Sequence, residues 1–385
     1  YMMRMKKHTL MISLIGLLIL IVLAGFYLLR DTVNIPETAE NYEELQIQID
    51  FDKHSECIKI WQGTDGTYYF FLPSGGKMTD LRFVNIGKNN TLLIKDPNNQ
   101  TECSAENFCG DSILFNHTYE IELVRENGQC FDPVPLQFKK SANLAAAFIE
   151  TESRSLDAIH ASKEIEEKAS LTLYDEEGKV DCRQNIQYIR ARGNSTFTDF
   201  DKKAYQIKLY QDTSLLKMPR GEKWILLANA VDDSLIRNAL VYSFAGEYTS
   251  IPSVDGEFVD VYVNGIYEGN YYLCEKVEID KNRLDITDLE AYNYTENDKS
   301  DVEYATPYLS EDGRIKAFTG IKNPKDITGG YLLESIPGAS FSSIESGFCT
   351  QNGLFFEIVS PKYATVDQAN YICNLFNEFE VAIAS

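Results

Sequence analysis

The residues best suited to chemistry lie between Gln187 and Val277. In RGNST (192–196) a glycine separates Arg192 from small amide and hydroxyl side chains. Such a turn can present backbone N–H groups to an anion while the guanidinium pairs with it, and the same residues also make an ordinary strand-ending turn. Lys203 and Lys208 stand five residues apart in KKAYQIKLY (202–210), so they face opposite sides of a strand and at most one lines a given cleft. Either can pair with nucleotide phosphates as a strand lysine does in kinases, or lie on a solvated face. Asp232, Asp233, Arg237 and Asn238 share the start of a helical pattern. An aspartate there caps backbone N–H groups, and Arg237 and Asn238 on the first turns can reach a cleft. Glu275 ends the strand YYLCE, where a plain edge carboxylate is the simpler account.

Other chemistries find little support. The chain has four histidines, and the one outside the N-terminal part and the β-rich region, His160, has no G-x-S-x-G elbow to serve. No G-x-x-x-x-G-K-[ST] or G-x-G-x-x-G occurs, which excludes a Walker or dinucleotide fingerprint. Eight cysteines include no C-x-x-C, so a zinc ribbon is not expected, and disulfide pairing stays open. Sequons at Asn89, Asn99, Asn116, Asn194 and Asn293 matter only where exported proteins are glycosylated.

Elements that would position these residues can be read in order. Residues 10–29 form an uncharged apolar run, preceded by Arg4, Lys6 and Lys7. Its length predicts a transmembrane anchor with the N-terminus in the cytoplasm and the remainder outside, a single-pass membrane protein with an extracellular C-terminal domain. Residues 30–46 read as an acidic stalk. Short β runs separated by Gly, Asn and Asp predict a β-sandwich-like module over 47–140. From about 145 a second domain begins, with strands over 168–180, 185–193 and 202–210. A helix over 233–247 follows, then a hairpin signalled by Asn264-Gly265, an irregular acidic insertion over 284–316, strands over 328–336 and 354–360, and a closing helix over 365–384.

At 385 residues and a net charge of −22, the chain has room for two or three domains and lacks the basic clusters that nucleic acid requires. A nucleotide site would need local cations to overcome the same field.

The order RGNST, KKAYQIKL, WILLANAVDDSLIRN, VDVYVNGIYEGNYYLCEKV, GGYLLE and IVSPK resembles the spore-coat CotH kinase family over about 145–385. Over that stretch the resemblance implies an atypical protein-kinase-like domain, incomplete at its C-terminus; with the transmembrane helix and small all-β module read above, which lie outside it, the expected fold class is α+β. The resemblance further implies ATP and Mg²⁺ as cofactors and phosphorylation of serine on exported, surface or spore-coat proteins. By that analogy Glu275–Val277 form a hinge whose backbone holds adenine, while Arg192 and either Lys203 or Lys208 meet the phosphates. The family's catalytic and metal-binding aspartates are expected beyond Ser385, so by the resemblance this stretch alone is expected to be inactive or nearly so, and the full-length protein to be the kinase. A non-catalytic surface adhesion or assembly scaffold is the alternative, and the aromatics of the β module leave glycan binding open.

Overall fold

The computed structural model describes residues 42–84, 86, 90–99, 101–250, 252–299, 302 and 304–384. The chain divides into two compact units. One runs to Leu156 and adds Ala169–Gln184 and Phe258–Tyr271; the other comprises Asp157–Lys168, Asn185–Glu257 and Tyr272–Ser385.

In the first unit, alternating apolar residues produce β1 (Gln46–Asp50), β2 (Ser55–Lys59), β3 (Trp61–Gln62), β4 (Tyr68–Leu72), β5 (Lys77–Val84), β6 (Thr91–Asp96), β7 (Thr101–Ser104), β8 (Thr118–Val124) and β9 (Val134–Lys140). They form a three-stranded sheet, β2-β1-β5, and a six-stranded sheet, β3-β4-β9-β8-β6-β7. Ile47 and Ile49 of β1, Phe70 of β4 and Phe138 of β9 meet in one buried core, which follows from the period-two pattern of each strand.

A closed seven-stranded barrel is built from β10 (Ala145–Thr151), β11 (Glu167–Tyr174), β12 (Val180–Arg192), β13 (Ala204–Thr213), β14 (Gly221–Leu227), β15 (Gly256–Val263) and β16 (Ile266–Glu275). Its order is β10-β11-β12-β13-β14-β16-β15. Closure comes from parallel pairing of β10 with β15, from Ala145↔Val259 to Ile149↔Val263. The β15–β16 turn has Asn264 at φ 53° and Gly265 at φ 80°, the left-handed pair that the Asn-Gly signal predicts. The Asn264 side chain then accepts a hydrogen bond from the Thr151 N–H at 2.9 Å.

The second unit also holds α1 (Asp157–Ala161), α2 (Ser195–Asp199), α3 (Arg237–Tyr248), α4 (Leu289–Glu296) and α5 (Val366–Ala384). A five-stranded sheet, β17-β18-β20-β21-β19, is formed by β17 (Thr306–Leu309), β18 (Ile315–Thr319), β19 (Leu332–Ile336), β20 (Gly347–Cys349) and β21 (Phe355–Ser360). Ala369, Ile372 and Cys373 of α5 seat against Ile315, Phe348 and Ile358 of that sheet.

This architecture corrects the expected fold class. The described residues are strand-rich and include a closed seven-stranded barrel, where an α+β kinase-like domain behind a transmembrane helix was expected. The order of motifs fixes which strands succeed one another; it does not fix that β10 pairs with the distant β15, and that pairing decides the fold. The anchor expected over 10–29 lies outside the described residues. Among the described residues no helix is long and apolar enough to cross a membrane, so the single-pass placement is not supported. Even α5, 19 residues long, carries Asp367, Glu378 and Glu380.

Local expectations shift as well. The helix expected from 233 starts at Arg237, because Leu235 takes φ 61° and the Asp232 carboxylate gathers the N–H groups of Ser234 and Arg237 at 3.0 and 2.9 Å. The acidic stretch 284–316 contains α4, whose N-cap Asp288 accepts from the Ala291 N–H at 2.8 Å, and β17.

Candidate functional site

Wholly within the second unit lies an open cleft of about 350 Å³. Three barrel strands supply one wall. β14 contributes Ile225 and Leu227, β16 contributes Cys274 and Glu275, and β12 ends there with Arg192. Lys276 and Val277 continue from β16, Tyr242 comes from α3, and Leu332, Leu333 and Val359 come from β19 and β21. Register explains the grouping: Ile225 pairs with Cys274 and Leu226 with Leu273, so alternate residues of β14 and β16 share one face. Tyr242 is held by stacking on Tyr272, with ring centroids 6.3 Å apart.

The end of β16 is fixed from beneath. Glu275 forms a buried ion pair with Arg283 at 2.5 Å, with side chains 9% and 2% exposed. The Glu275 carboxylate also accepts from the Asp255 N–H at 3.2 Å. The Arg283 guanidinium lies 4.3 Å from the Trp224 ring centroid, a cation–π contact in a desolvated setting. Room for it exists only because residue 221 is glycine: a Cβ there would stand 2.1 Å from Arg283 Nη2.

Two cations, Arg192 and Lys276, line the cleft together with the carboxylates of Glu334 and the Arg283-paired Glu275. Burial holds the Lys276 ammonium below the ordinary lysine range, and the neighbouring charges of Lys223, Arg192 and Arg190 push the same way against the opposing Glu278. Among the described residues no salt bridge involves Arg192, its neighbour Arg190 being the one that pairs with Glu166, and the Lys276 ammonium reaches the Val277 carbonyl at a marginal 3.4 Å. Burial raises the Cys274 thiol to about 12, so it acts as an apolar lining group and not a nucleophile at neutral pH.

Of the residues singled out from sequence, the structure brings Arg192, Glu275 and Val277 together in this cleft. Lys203, Lys208, Arg237 and Asn238 lie outside its lining, as do Asp232 and Asp233. Lys203 donates to the carbonyls of Phe197 and Phe200 at 2.6 and 2.5 Å. Lys208 lies 3.8 Å from Glu222. Arg237 is largely exposed and pairs with Asp232 at 3.3 Å. The Asn238 amide donates to Asn229 Oδ1 at 2.8 Å. Sequence reasoning missed Lys276, Tyr242 and the β19–β21 wall; the one available signal was the adjacency of Lys276 to Glu275.

A phosphate-bearing ligand would fit Arg192 and Lys276, beside apolar walls and with the Glu334 carboxylate in the same lining. Magnesium finds no such fit. Among the described residues no group of three or more His, Cys, Asp or Glu is placed to hold a metal ion, and Glu275 is committed to Arg283.

Barrel strands β12, β14 and β16 thus form one wall of a partly apolar cleft that carries both cations and carboxylates. Residues 189–324 match the family model described as CotH kinase protein, which bears out the resemblance over that stretch. The matched residues include Arg192, Tyr242 and Cys274–Val277, and the match is consistent with kinase-like function. A search of curated proteins found no match.

Proposed function

We propose that the cleft binds ATP and that the chain serves transfer of the terminal phosphoryl group to a hydroxyl on a protein, serine being the acceptor that the family resemblance implies. The observation that carries this reading is the pair Arg192 and Lys276, cations with donors to spare in a chain of net charge −22. Their charges would meet the phosphates, while Ile225, Leu227 and Val359 would take the base and the backbone of Glu275–Val277 its edge. In the reaction the acceptor oxygen bonds to the γ-phosphorus, the bond to the β–γ bridging oxygen breaks, ADP leaves and the hydroxyl proton is released.

Calorimetric titration of the chain with ATP, ADP and adenosine, in buffers with and without magnesium, tests the binding half of the proposal. Affinity that rises with phosphate number is expected. Equal affinity for adenosine would remove Arg192 and Lys276 from the site, and no binding to folded protein would favour the assembly scaffold. Phosphate incorporation into a serine-rich protein tests transfer separately.

A further inference from the structure

The outer face of the six-stranded sheet in the first unit carries three aromatic rings that do not belong to its core. β4 turns Tyr68, Phe70 and Leu72 inward, which leaves Tyr69 and Phe71 outward, and β3 sets Trp61 opposite Tyr69. The rings of Trp61, Tyr69 and Phe71 lie 5.8, 5.9 and 5.9 Å from one another, and the planes of Tyr69 and Phe71 differ by 23°. Tyr267 stacks on one face of Phe71 at 4.6 Å, and Lys139 Nζ lies 5.7 Å from the Tyr69 ring centroid, so the faces left to a ligand are the opposite ones. Trp61 remains 41% exposed. Tyr69 and Phe71 are half-buried, so Trp61 is the exposed edge of a contiguous aromatic strip, and contiguity is what distinguishes it from a single exposed apolar residue.

Polar groups surround the rings. β9 places Gln137 beside Tyr69 and Lys139 beside Phe71. The Gln137 amide donates to Thr118 Oγ1 at 2.8 Å, and Lys139 Nζ donates to Asn116 Oδ1 at 2.9 Å. The Tyr69 hydroxyl donates to Asp65 Oδ2 at 3.2 Å.

We propose that this face binds a neutral polysaccharide, its pyranose rings laid against Trp61, Tyr69 and Phe71. The C–H groups on one face of a pyranose are weakly positive and meet the negative face of an aromatic ring. The sugar hydroxyls at the ring edge then reach Gln137, Lys139 and Asp65. An apolar peptide would strip water from those same polar groups without replacing their hydrogen bonds. Charge selects within polymers: a chain of −22 repels nucleic acid and other polyanions, and a neutral glycan meets no such barrier. The inference is independent of the nucleotide cleft.

The two tryptophans make the test specific, since Trp224 is 0% exposed and Trp61 is 41% exposed. Acrylamide quenching of the full chain therefore reports Trp61 first. The chain is titrated with hydroxyethylcellulose, xylan and galactomannan, and in parallel with an anionic polysaccharide and an amphipathic peptide. At least one neutral polymer is expected to shield Trp61 and to retard the protein in affinity gels. Trp61→Ala is expected to weaken retardation about tenfold, as for loss of one ring contact. Tyr69→Ala, checked for folding by circular dichroism, serves as the second variant. Quenching unchanged by every neutral polymer, or shielding by the anionic polymer or the peptide alone, would overturn the proposal.

Discussion

Lys203 and Lys276 both stand at the end of a barrel strand, yet their ammonium groups meet different surroundings. Lys203 gives hydrogen bonds to the Phe197 and Phe200 carbonyls and lies 5.2 Å from the Phe197 ring centroid. Nearby, Lys163 donates to Asn194 Oδ1 at 3.0 Å, so the RGNST loop is tied down from two sides. Lys276 is partly buried beside Arg192, Arg190 and Lys223, with its own donors barely used. A cation whose donors are consumed by carbonyls holds a loop; a cation with donors left over in a cleft is available to a ligand.

The cleft side of this comparison rests on the fixed end of β16, and Gly221→Ala strikes it hardest. The added Cβ would displace Arg283 from Glu275, and breaking a buried pair costs about 3–5 kcal/mol. Urea unfolding should show that loss. A change under about 1 kcal/mol would mean that Arg283 has another place to go.

On the loop side, Lys203→Met removes two charge-assisted hydrogen bonds from carbonyls, with an expected stability loss of about 2–3 kcal/mol. Its ATP affinity, measured where the variant is still folded, should equal that of the parent. Lost affinity with unchanged stability would reverse the assignment of the two lysines.

Lys276→Met is expected to do the opposite. ATP affinity should fall about tenfold, or about 1.4 kcal/mol, while stability holds or rises slightly because a partly buried charge is gone. Calorimetry and urea unfolding on one preparation give both numbers.

How much of this was legible beforehand depends on the range of the interaction. The Asn264-Gly265 hairpin, the strand at 355–360 and the helix at 366–384 follow from local chemistry, and sequence located them within a residue or two. Alternation would set Lys203 and Lys208 on opposite faces of one strand, but Lys203 falls just before β13, and alternation says nothing of which carbonyls it meets. Arg192 and Glu275 sit at strand ends, where a polar residue after an apolar run attracts notice. Lys276 became distinctive only when folding brought Arg190, Arg192 and Lys223 around it. The sequon at Asn293 shows the reverse case. Its side chain is 1% exposed and bonded to Gln368 at 3.1 Å, so that asparagine serves the interior of the fold. Barrel closure was the least accessible feature, because β10 and β15 are far apart in sequence and neither carries a mark of its partner.

The finest test of the two-lysine comparison is pH. The folded-state pKa of Lys276 lies below the 10.5 of a free lysine, by burial first and neighbouring cations second. As pH rises through that lowered value, the folded protein releases this proton before the unfolded chain does. The buried charge is thereby relieved, so the Lys276 contribution to stability improves through the window between the two values, against any losses from other groups. ATP affinity must move the other way over the same window, since the cation facing the phosphates disappears. The expected signature is an alkaline fall in affinity that starts below the ordinary lysine range in the parent and is absent in Lys276→Met, with Lys203→Met behaving as the parent. Parallel curves for the parent and Lys276→Met would show that another group carries the titration, and Lys276 would then have to be removed from the phosphate end of the cleft.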